Sequence, residues 1–591
     1  MKKITIFLTF ILLCTKIFSQ SIDVKWSDQF EFDNKKDGFF DGFVGSNNKY
    51  IYGKFSNLAL NPKKSNHKVK LIVFDKTTMK KAGEAELAGY DKNSDNKKYD
   101  YYKTITLNNL VYVFWTLEEK KIVSLYVQSF DVNLKKVNGK KKIYELNEST
   151  KESDADKLIV IYNKDLNDKI LIAKEFGAKV DGENLKLEYK ILNPDFSFVT
   201  SKQVTLPIIV NKQRRGLFSG RSANFNSLLC DYEFGNDGNL YVQDVIKMSK
   251  EEKALLKKGE SSTYPLIVQV QATTGKVTDY KVKFPKKNTF KFSSLITDNG
   301  IKLYGFYSDL DKDVKGNDTH GTFYILLDKN NFTVITSKFS YFDKNFLDVL
   351  YAADKENQKK GNGLFKSKKA KESDKESIDD NYVIESVIQD GKDILLFCSI
   401  MNNWSRTVCT SNGKGGGQTC NTYYYCTKSN VTTFKLNNDG DIVWAKNLDR
   451  SITYSRWNVY DLNVMKSNDS YYVTYGSAFQ ANAKKKNLGS AKSRRQLTDR
   501  IEYAIFDGKS GDYKKNEYAV NKVNTKSSEK KFISADNISV YDNKMYTSCI
   551  KTKIKPLTWL SCLCPPVFYV LYFNGNSRVG KGSFGTITPL K

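Results

Sequence analysis

Histidine, the side chain that most often serves as a general base, is nearly missing from this 591-residue chain. His67 and His320 are the only two, and neither lies in a recognisable nucleophile motif. The sequence predicts that both are surface loop residues, which disfavours Ser-His-Asp, Cys-His and His-rich zinc chemistry. Glycosidase or lyase chemistry based on carboxylates alone stays open, because the 66 Asp and Glu residues cannot be paired from sequence.

Three aspartates alternate in the segment SDLDKDVKGND, at Asp309, Asp311 and Asp313. Oxygen clusters of this kind suit calcium. An EF-hand loop would place Gly at its sixth position and Glu at its twelfth, whereas Val314 and His320 stand there. The spacing therefore favours a solvated loop over a calcium site, and no other cofactor is expected.

Cysteine is more informative, because eight of the nine cysteines follow the first twenty residues. In an exported protein these are disulfide candidates. Four flank the glycine-rich SNGKGGGQT, where pairs Cys409–Cys420 and Cys398–Cys426 would staple one long hairpin, although the two registers do not agree. Cys549, Cys562 and Cys564 belong to a second hairpin, and Cys230 is left to pair with one of them; a metal site at Cys562 and Cys564 is a weaker alternative.

The start of the chain, MKKITIFLTFILLCTKIFSQ, has the layout of a secretory signal peptide. Two lysines precede an apolar stretch that is too short to span a bilayer as a helix. We expect residues 1–19 to be removed, and Cys14 matches a lipoprotein signal poorly. No later segment is long and apolar enough to cross a membrane, so residues 20–591 are expected to be exported, to the periplasm, the outer membrane or the outside.

The formal net charge of +28 could serve an acidic polysaccharide or lipid phosphates. Only ten of the 94 basic residues are Arg, although Arg is the side chain that phosphate sites favour. A Lys- and Asn-rich composition is also typical of an AT-rich genome, and this interpretation is preferred. Nucleic acid is not expected as a partner. A binding loop, if the charge has one, is predicted at residues 481–500, which contain Arg494, Arg495 and Arg500.

One two-part unit recurs along the chain. Its first part is an Asn/Asp/Gly turn followed by an alternating apolar strand, as in NNLVYVFWT from Asn108 or DNGIKLYGFY from Asp298. Its second part is a strand that ends in a tight polar turn, as in LIVFDKTT from Leu71 or YILLDKNN from Tyr324. Eight first parts alternate with eight second parts, and a further strand often precedes the pair. The pattern predicts about four strands per unit.

Repeated four-stranded units predict an all-β chain folded as a β-propeller, with eight blades or, as the alternative, seven. A β-sandwich array is the rival architecture. The pieces QATTGKVTDYKVKF (from Gln271) and LNNDGDIVWAKNL (from Leu436) resemble outer hairpins of quinoprotein-like propeller blades. That resemblance implies the fold alone, since no ligands of a quinone cofactor can be placed here. The segment IDVKWSDQFEF from Ile22 is predicted to complete the last blade, a place for which GSFGTITPL from Gly582 could compete.

The repeat spacing stretches once, around residues 356–381, which are charged and poor in apolar side chains. This insertion is predicted to be a mobile loop. Long insertions on a rigid fold without a catalytic constellation favour a non-catalytic scaffold that binds a protein partner, as an accessory subunit of an outer-membrane secretion, uptake or motility complex. The alternative is a propeller that binds or degrades polysaccharide through Asp, Glu and aromatic loop residues.

Overall fold

The computed structural model describes residues 22–33, 39–56, 68–88, 97, 99–119, 122–147, 157–163, 169–176, 183–209, 230–248, 253–257, 260–312, 318–359, 377–378, 382–411, 418–455, 462–475, 497–498, 500–521, 532–534, 538–552 and 579–590. The chain packs as two compact units. One consists of Met1–Ala88 with Arg456–Lys591, and the other is Gly89–Ser455.

Strands dominate both units. In chain order the first eighteen are β1 (Ile22–Trp26), β2 (Phe30–Asp33), β3 (Phe39–Ser46), β4 (Tyr50–Ser56), β5 (Lys68–Asp75), β6 (Lys81–Ala88), β7 (Asp100–Leu107), β8 (Leu110–Glu119), β9 (Ile122–Phe130), β10 (Lys136–Asn147), β11 (Lys157–Tyr162), β12 (Ile170–Phe176), β13 (Asn184–Leu192), β14 (Phe198–Ile209), β15 (Asp231–Phe234), β16 (Leu240–Lys247), β17 (Thr263–Val270) and β18 (Val277–Lys281).

Four of the remaining strands precede a helix, and the others follow it. In chain order they are β19 (Lys287–Thr297), β20 (Gly300–Asp309), β21 (Gly321–Leu327), β22 (Val334–Tyr341), β23 (Tyr382–Asp390), β24 (Asp393–Ser411), β25 (Gln418–Leu436), β26 (Ile442–Ser455), β27 (Asn463–Ser467), β28 (Ser470–Thr474), β29 (Leu497–Thr498), β30 (Arg500–Asp507), β31 (Tyr513–Ala519), β32 (Phe532–Ser534), β33 (Ser539–Tyr541), β34 (Lys544–Thr552) and β35 (Val579–Pro589). The helix, α1, spans Lys344–Lys359.

The strands form eight antiparallel sheets within the described residues. Seven have four strands that neighbour each other in chain order: β3 to β6, β7 to β10, β11 to β14, β15 to β18, β19 to β22, β23 to β26, and β27, β28, β30 and β31. In the eighth sheet, β34 pairs with β32 and β33 on one side and with β35 on the other. The chain is thus all-β, with eight four-stranded blades of a β-propeller, as the repeat predicts.

The eighth blade joins the two ends of the chain. Strands β1 and β2 pair with β35, with Ile22 opposite Pro589 and Phe30 opposite Gly582. The N-terminal strand therefore occupies the fourth position of this blade, as predicted. The segment from Gly582 does not compete with it, because it is the third strand to which β1 and β2 bind.

The turn between the third and fourth strands explains why the polar repeat recurs. An Asp or Asn at its first position accepts hydrogen bonds from the next backbone N–H groups, as Asp75 does from Thr77 and Thr78 at 2.9 and 2.7 Å. Its fourth or fifth residue has positive φ, which Gly275 and Gly440 adopt without strain. Other blades instead place a buried apolar side chain there: Met79, Leu134, Phe196 and Phe332.

Burial decreases across each blade toward the fourth strand. Every residue of β20 and β21 is buried, because the middle strands of a blade pack on both faces. In β22 most side chains are exposed or half-buried. The core therefore lies between blades, as in the cluster formed by Tyr304, Tyr324, Leu396 and Phe434.

Helix α1 overlaps the first residues of the insertion that was predicted at 356–381, and there the prediction of a loop is wrong. Asp343 caps the helix, because its carboxylate accepts the backbone N–H of Asn345 at 2.8 Å. Phe346, Leu347 and Leu350 are buried against the blade core at helical spacing. The helix continues to Lys359, so residues 356–359 of the predicted loop are helical, and most of residues 360–381 lie outside the described residues. Within the described part of the chain, no helix combines the length and apolar character that a membrane span requires.

Candidate functional site

A cavity of about 470 Å³ opens between the first strands of three consecutive blades in the unit Gly89–Ser455. Strand β7 contributes Tyr102 and Lys103, β11 contributes residues 158–161, and the start of β15 contributes residues 230–232. The side chains of Tyr102 and Lys103 both form hydrogen bonds to the backbone of β11. The Tyr102 hydroxyl donates to the Leu158 carbonyl at 3.0 Å, and Lys103 Nζ donates to the Val160 carbonyl at 2.7 Å.

The opposite wall of the cavity is acidic. Asp231 lines the cavity, and Tyr232 donates its hydroxyl proton to Glu175 Oε1 at 2.6 Å. Cys230 Sγ lies 3.9 Å from Asp244 Oδ2. Burial raises the pKa of Asp231 and, with the nearby Glu175, raises the pKa of Tyr232 far above its usual value. The sequence contains a signal for this wall, because the acids Asp231 and Glu233 alternate with Cys, Tyr and Phe in the segment CDYEF, residues 230–234.

Glu233 follows in the same strand and faces the next blade. Burial raises the pKa of its carboxyl to about 7, although the backbone N–H of Ile296 donates to it and lowers that pKa in part. In the unfolded chain an ordinary glutamate titrates near pH 4.5. The folded protein therefore holds a proton on Glu233 at pH values where the unfolded chain has released it.

This difference predicts that stability falls as the pH rises. A raised carboxyl pKa stabilises the folded state fully below about pH 4.5, and that contribution is lost by about pH 7. Denaturant unfolding at pH 5 and pH 8 should show that the wild type loses about 2 kcal/mol more than Glu233→Gln. Equal losses in the two proteins would show that Glu233 titrates normally.

A second group of charges is fully buried in the blade β23–β26. The side chains of Glu385, Lys428 and Arg450 are 2%, 4% and 1% exposed. Glu385 Oε1 accepts from Arg450 Nη2 at 2.8 Å and its Oε2 accepts from Lys428 Nζ at 3.0 Å, while Ser399 Oγ accepts from Arg450 at 2.6 Å. These residues lie on four strands, so no local sequence pattern could have found the network.

Strands β24 and β25 extend beyond their blade, past Ile400 on the β23 side and past Tyr425 on the β26 side. Strand β23 pairs with β24 only as far as Ile400, whereas β24 and β25 stay paired to Ser411 and Gln418. We call residues 401–411 and 418–428 the hairpin extension. At about 3.3 Å per residue its eleven residue pairs span about 35 Å, and Lys428 of the buried charge network lies at its base.

The register of the hairpin tests the predicted staples. Cys409 and Cys420 are direct cross-strand partners, so this disulfide stays a prediction that fits the backbone. Cys398 pairs with Thr432, six residues from Cys426, which corresponds to about 20 Å along the strand. A bridge requires α-carbons less than about 7 Å apart. The Cys398–Cys426 prediction is therefore wrong, and Cys398 is a buried free thiol whose pKa burial raises strongly.

The remaining cysteine predictions are not decided. Cys230 and Cys549 are both buried, and Cys562 and Cys564 lie outside the described residues. Pairing among these four stays a prediction.

The predicted binding loop is only partly described. Arg494 and Arg495 lie outside the described residues. Arg500 belongs to β30, where its guanidinium Nη1 lies 2.6 Å from Glu517 Oε1 on β31. Arg500 is therefore a cross-strand partner within a blade, and it cannot be counted as a free cation of that loop.

The two described members of the three alternating aspartates have different partners. Asp309 is buried and accepts from Lys287 Nζ at 2.8 Å and from the Tyr341 hydroxyl. Burial would raise the pKa of Asp309, but these two bonds outweigh it and lower that pKa to about 2. Asp311 pairs with Lys286 at 3.0 Å, and Asp313 lies outside the described residues. Lysines, rather than a shared cation, thus neutralise the two described aspartates.

The sequence predicted that His320 lies in a surface loop, and this prediction is wrong. His320 is buried next to Asp309. Its Nδ1 accepts the backbone N–H of Asp309 at 3.2 Å, and burial lowers its pKa. His67 lies outside the described residues. The imidazole of His320 thus serves as an internal hydrogen-bond acceptor at the end of β20.

These observations define the class as a β-propeller with a polar cavity between first strands and one long hairpin extension. No protein-family model matches the chain, and no curated protein is significantly similar to it.

Several solved structures are distantly similar in shape. An apocarotenoid oxygenase from Synechocystis aligns at 7% identity over 51% of this chain and 61% of its own, with a TM-score of 0.26. A prolyl endopeptidase aligns at 10% identity over 74% and 53%, with a TM-score of 0.28. An ulvan lyase aligns at 11% identity over 70% and 81%, with a TM-score of 0.30. The chain spans less than two thirds of the oxygenase and of the endopeptidase, and similarities this weak carry no conclusion about activity.

Proposed function

We propose that this protein is an exported, non-catalytic propeller that binds a protein partner as an accessory subunit of a cell-envelope complex. The hairpin extension is the observation that carries this proposal. Beyond Tyr425, the last residue of β25 that pairs with β26, seven residue pairs of the extension, about 23 Å at about 3.3 Å per residue, lie outside the blade's sheet. The backbone of the extension is ordered by cross-strand pairing before any partner arrives, so less entropy is lost on binding.

The residue types of the extension support protein recognition. Trp404 is the register partner of Tyr425, and two residues further along Arg406 is the partner of Tyr423. Trp, Tyr and Arg are the residues that most often dominate the binding energy of protein interfaces. Exposed apolar side chains on β14, including Phe198 and Val199, add contact surface outside the extension.

The test is affinity purification from gently solubilised envelopes followed by crosslinking mass spectrometry. The variant replaces residues 402–427 with an Asn-Gly turn, and the control carries Lys509→Ala and Ser510→Ala in the exposed β30–β31 turn. We expect the wild type and the control to recover one envelope protein at equal stoichiometry, with crosslinks to the extension, and the variant to lose it at least tenfold. Equal recovery by the shortened variant, or recovery of the protein alone, would contradict the proposal.

A second candidate function is saccharide binding, and the cavity beside β7, β11 and β15 favours it. Polar groups and aromatic rings surround a concave site there, which is the composition that small-molecule sites share. Among the described residues, the cavity lining holds one carboxylate, Asp231, whereas acid–base cleavage of a glycosidic bond requires a pair. Binding is therefore proposed here without hydrolysis.

A further inference from the structure

The cavity beside β7, β11 and β15 contains an ammonium group that is only partly used. Lys103 Nζ makes one hydrogen bond within the described residues, to the Val160 carbonyl at 2.7 Å. An ammonium group has three donors, so two of its N–H groups have no acceptor among the described residues. The bond to β11 fixes the position of the charge, and burial lowers the pKa of Lys103.

Asp231 supplies the complementary group. Its carboxylate lines the same cavity and has no hydrogen bond or ion pair to any described residue. The neighbouring polar groups are already engaged, since Tyr232 donates to Glu175 and Tyr102 donates to Leu158. Asp231 therefore lines the cavity as an acceptor that no described residue satisfies.

We propose that this cavity binds a sugar unit that bears a carboxylate, as in the uronic acids of acidic polysaccharides. The ligand carboxylate would pair with Lys103, and ring hydroxyls would donate to Asp231. The proposal rests on the saccharide-binding candidate above and is independent of the hairpin extension.

Other ligand classes fit the cavity less well. A simple anion would meet the repulsion of Asp231, and a simple cation would meet that of Lys103. Among the described residues no three His, Cys, Asp or Glu side chains converge as a metal ion would require. A ligand with one anionic group and several hydroxyl donors satisfies both charges. The volume of about 470 Å³ also lies within the range of about 300–1,000 Å³ that is usual for small-molecule sites.

The test is isothermal titration of the purified full-length chain with oligosaccharides of galacturonate, alginate and hyaluronan at physiological salt. Each probe is compared with its carboxyl-reduced form, which keeps the sugar units and removes the charge. Lys103→Met removes the ammonium, and Asp231→Asn removes the acceptor charge without breaking a hydrogen bond or ion pair to a described residue. Lys202→Met, at an exposed position of β14, is the matched control for unspecific attraction by a basic chain.

We expect at least one acidic probe to bind at least tenfold more tightly than its reduced form. Lys103→Met should abolish that preference, Asp231→Asn should weaken both forms about tenfold, and Lys202→Met should change neither. Equal binding of acidic and reduced probes would overturn the carboxylate specificity and leave saccharide binding intact. Failure of all the probes to bind, or binding that neither cavity variant changes, would overturn both the carboxylate specificity and saccharide binding in this cavity.

Discussion

Replacing Glu385 by Gln should destabilise the protein by about 3–5 kcal/mol, although the two side chains have nearly the same shape. Glu385 is the one acid in its network, and its two oxygens bind Arg450 at 2.8 Å and Lys428 at 3.0 Å. The variant would leave two cations buried without a counter-charge. Two further nitrogens of the Arg450 guanidinium, Nε and Nη1, already lack a hydrogen-bond partner among the described residues, so the described part of the network has no spare acceptor.

Glu84 provides a matched control at the surface. It also bridges two lysines, Lys70 at 3.2 Å and Lys81 at 2.6 Å, but its side chain is 43% exposed. Water screens both charges there, so Glu84→Gln should cost about 0–1 kcal/mol. Urea unfolding followed by circular dichroism gives both values, and similar losses in the two variants would show that burial does not decide the effect.

The network also adds an acid-sensitive contribution to stability. Burial would raise the pKa of Glu385, but Arg450 and Lys428 outweigh it and hold that pKa below the usual 4.5. A lowered carboxyl pKa stabilises the fold above about pH 4.5, and the contribution is lost as the pH falls through the lowered value. The difference in unfolding free energy between the wild type and Glu385→Gln should therefore shrink below pH 4.5.

Replacing Phe584 by Ala should destabilise the unit that contains both chain ends by about 3–5 kcal/mol. Phe584 is fully buried in β35. Its ring centroid lies 4.6–5.0 Å from those of Phe30, Phe40, Phe43 and Phe74. Its loss would leave a cavity among aromatic rings that come from β2, β3 and β5, whose backbones are fixed by sheet pairing and cannot close it.

Gly53 shows how closely neighbouring residues surround the aromatic ring of Phe584. A Cβ atom at Gly53 would lie 2.4 Å from Phe584 Cζ, so Gly53→Ala alone should be destabilising. With Phe584→Ala the same methyl group enters the vacated space, and the double variant should be more stable than the sum of the two losses. Phe198→Ala, at a residue that is 56% exposed, is the control and should change the free energy of unfolding by less than about 1 kcal/mol. Strictly additive losses would contradict the enclosure of Phe584.

The repeat was readable because its turns are local. Asp75 and Asp507 accept hydrogen bonds from residues two and three positions later, so the signal lies within five residues of sequence. Alternating strands between such turns then predict the blades. Helix α1 escaped the prediction because its apolar face is short, and its stability depends on burial of Phe346 and Leu350 against another strand pair.

Errors at individual residues have one common physical origin. His320, Cys398 and Arg500 were interpreted from their type and their neighbours in sequence. Their roles depend on partners across the sheet: the Asp309 backbone for His320, Thr432 for Cys398 and Glu517 for Arg500. A strand register that slips by one residue exchanges the two faces, so such partners cannot be read from one strand.

By itself the sequence determined the all-β class, the four-stranded repeat, the eight blades and the use of the N-terminal strand in the last of them. Turn chemistry and alternation are properties of short segments, and a repeat multiplies their signal. Tertiary structure alone decided which charged groups are buried in ion pairs and which ones line a cavity. Glu385 and Arg450 are 65 residues apart, and Lys103 and Asp231 come from blades that are not neighbours in the chain. Their chemistry arises only when packing excludes water from some polar groups and leaves others facing a cavity.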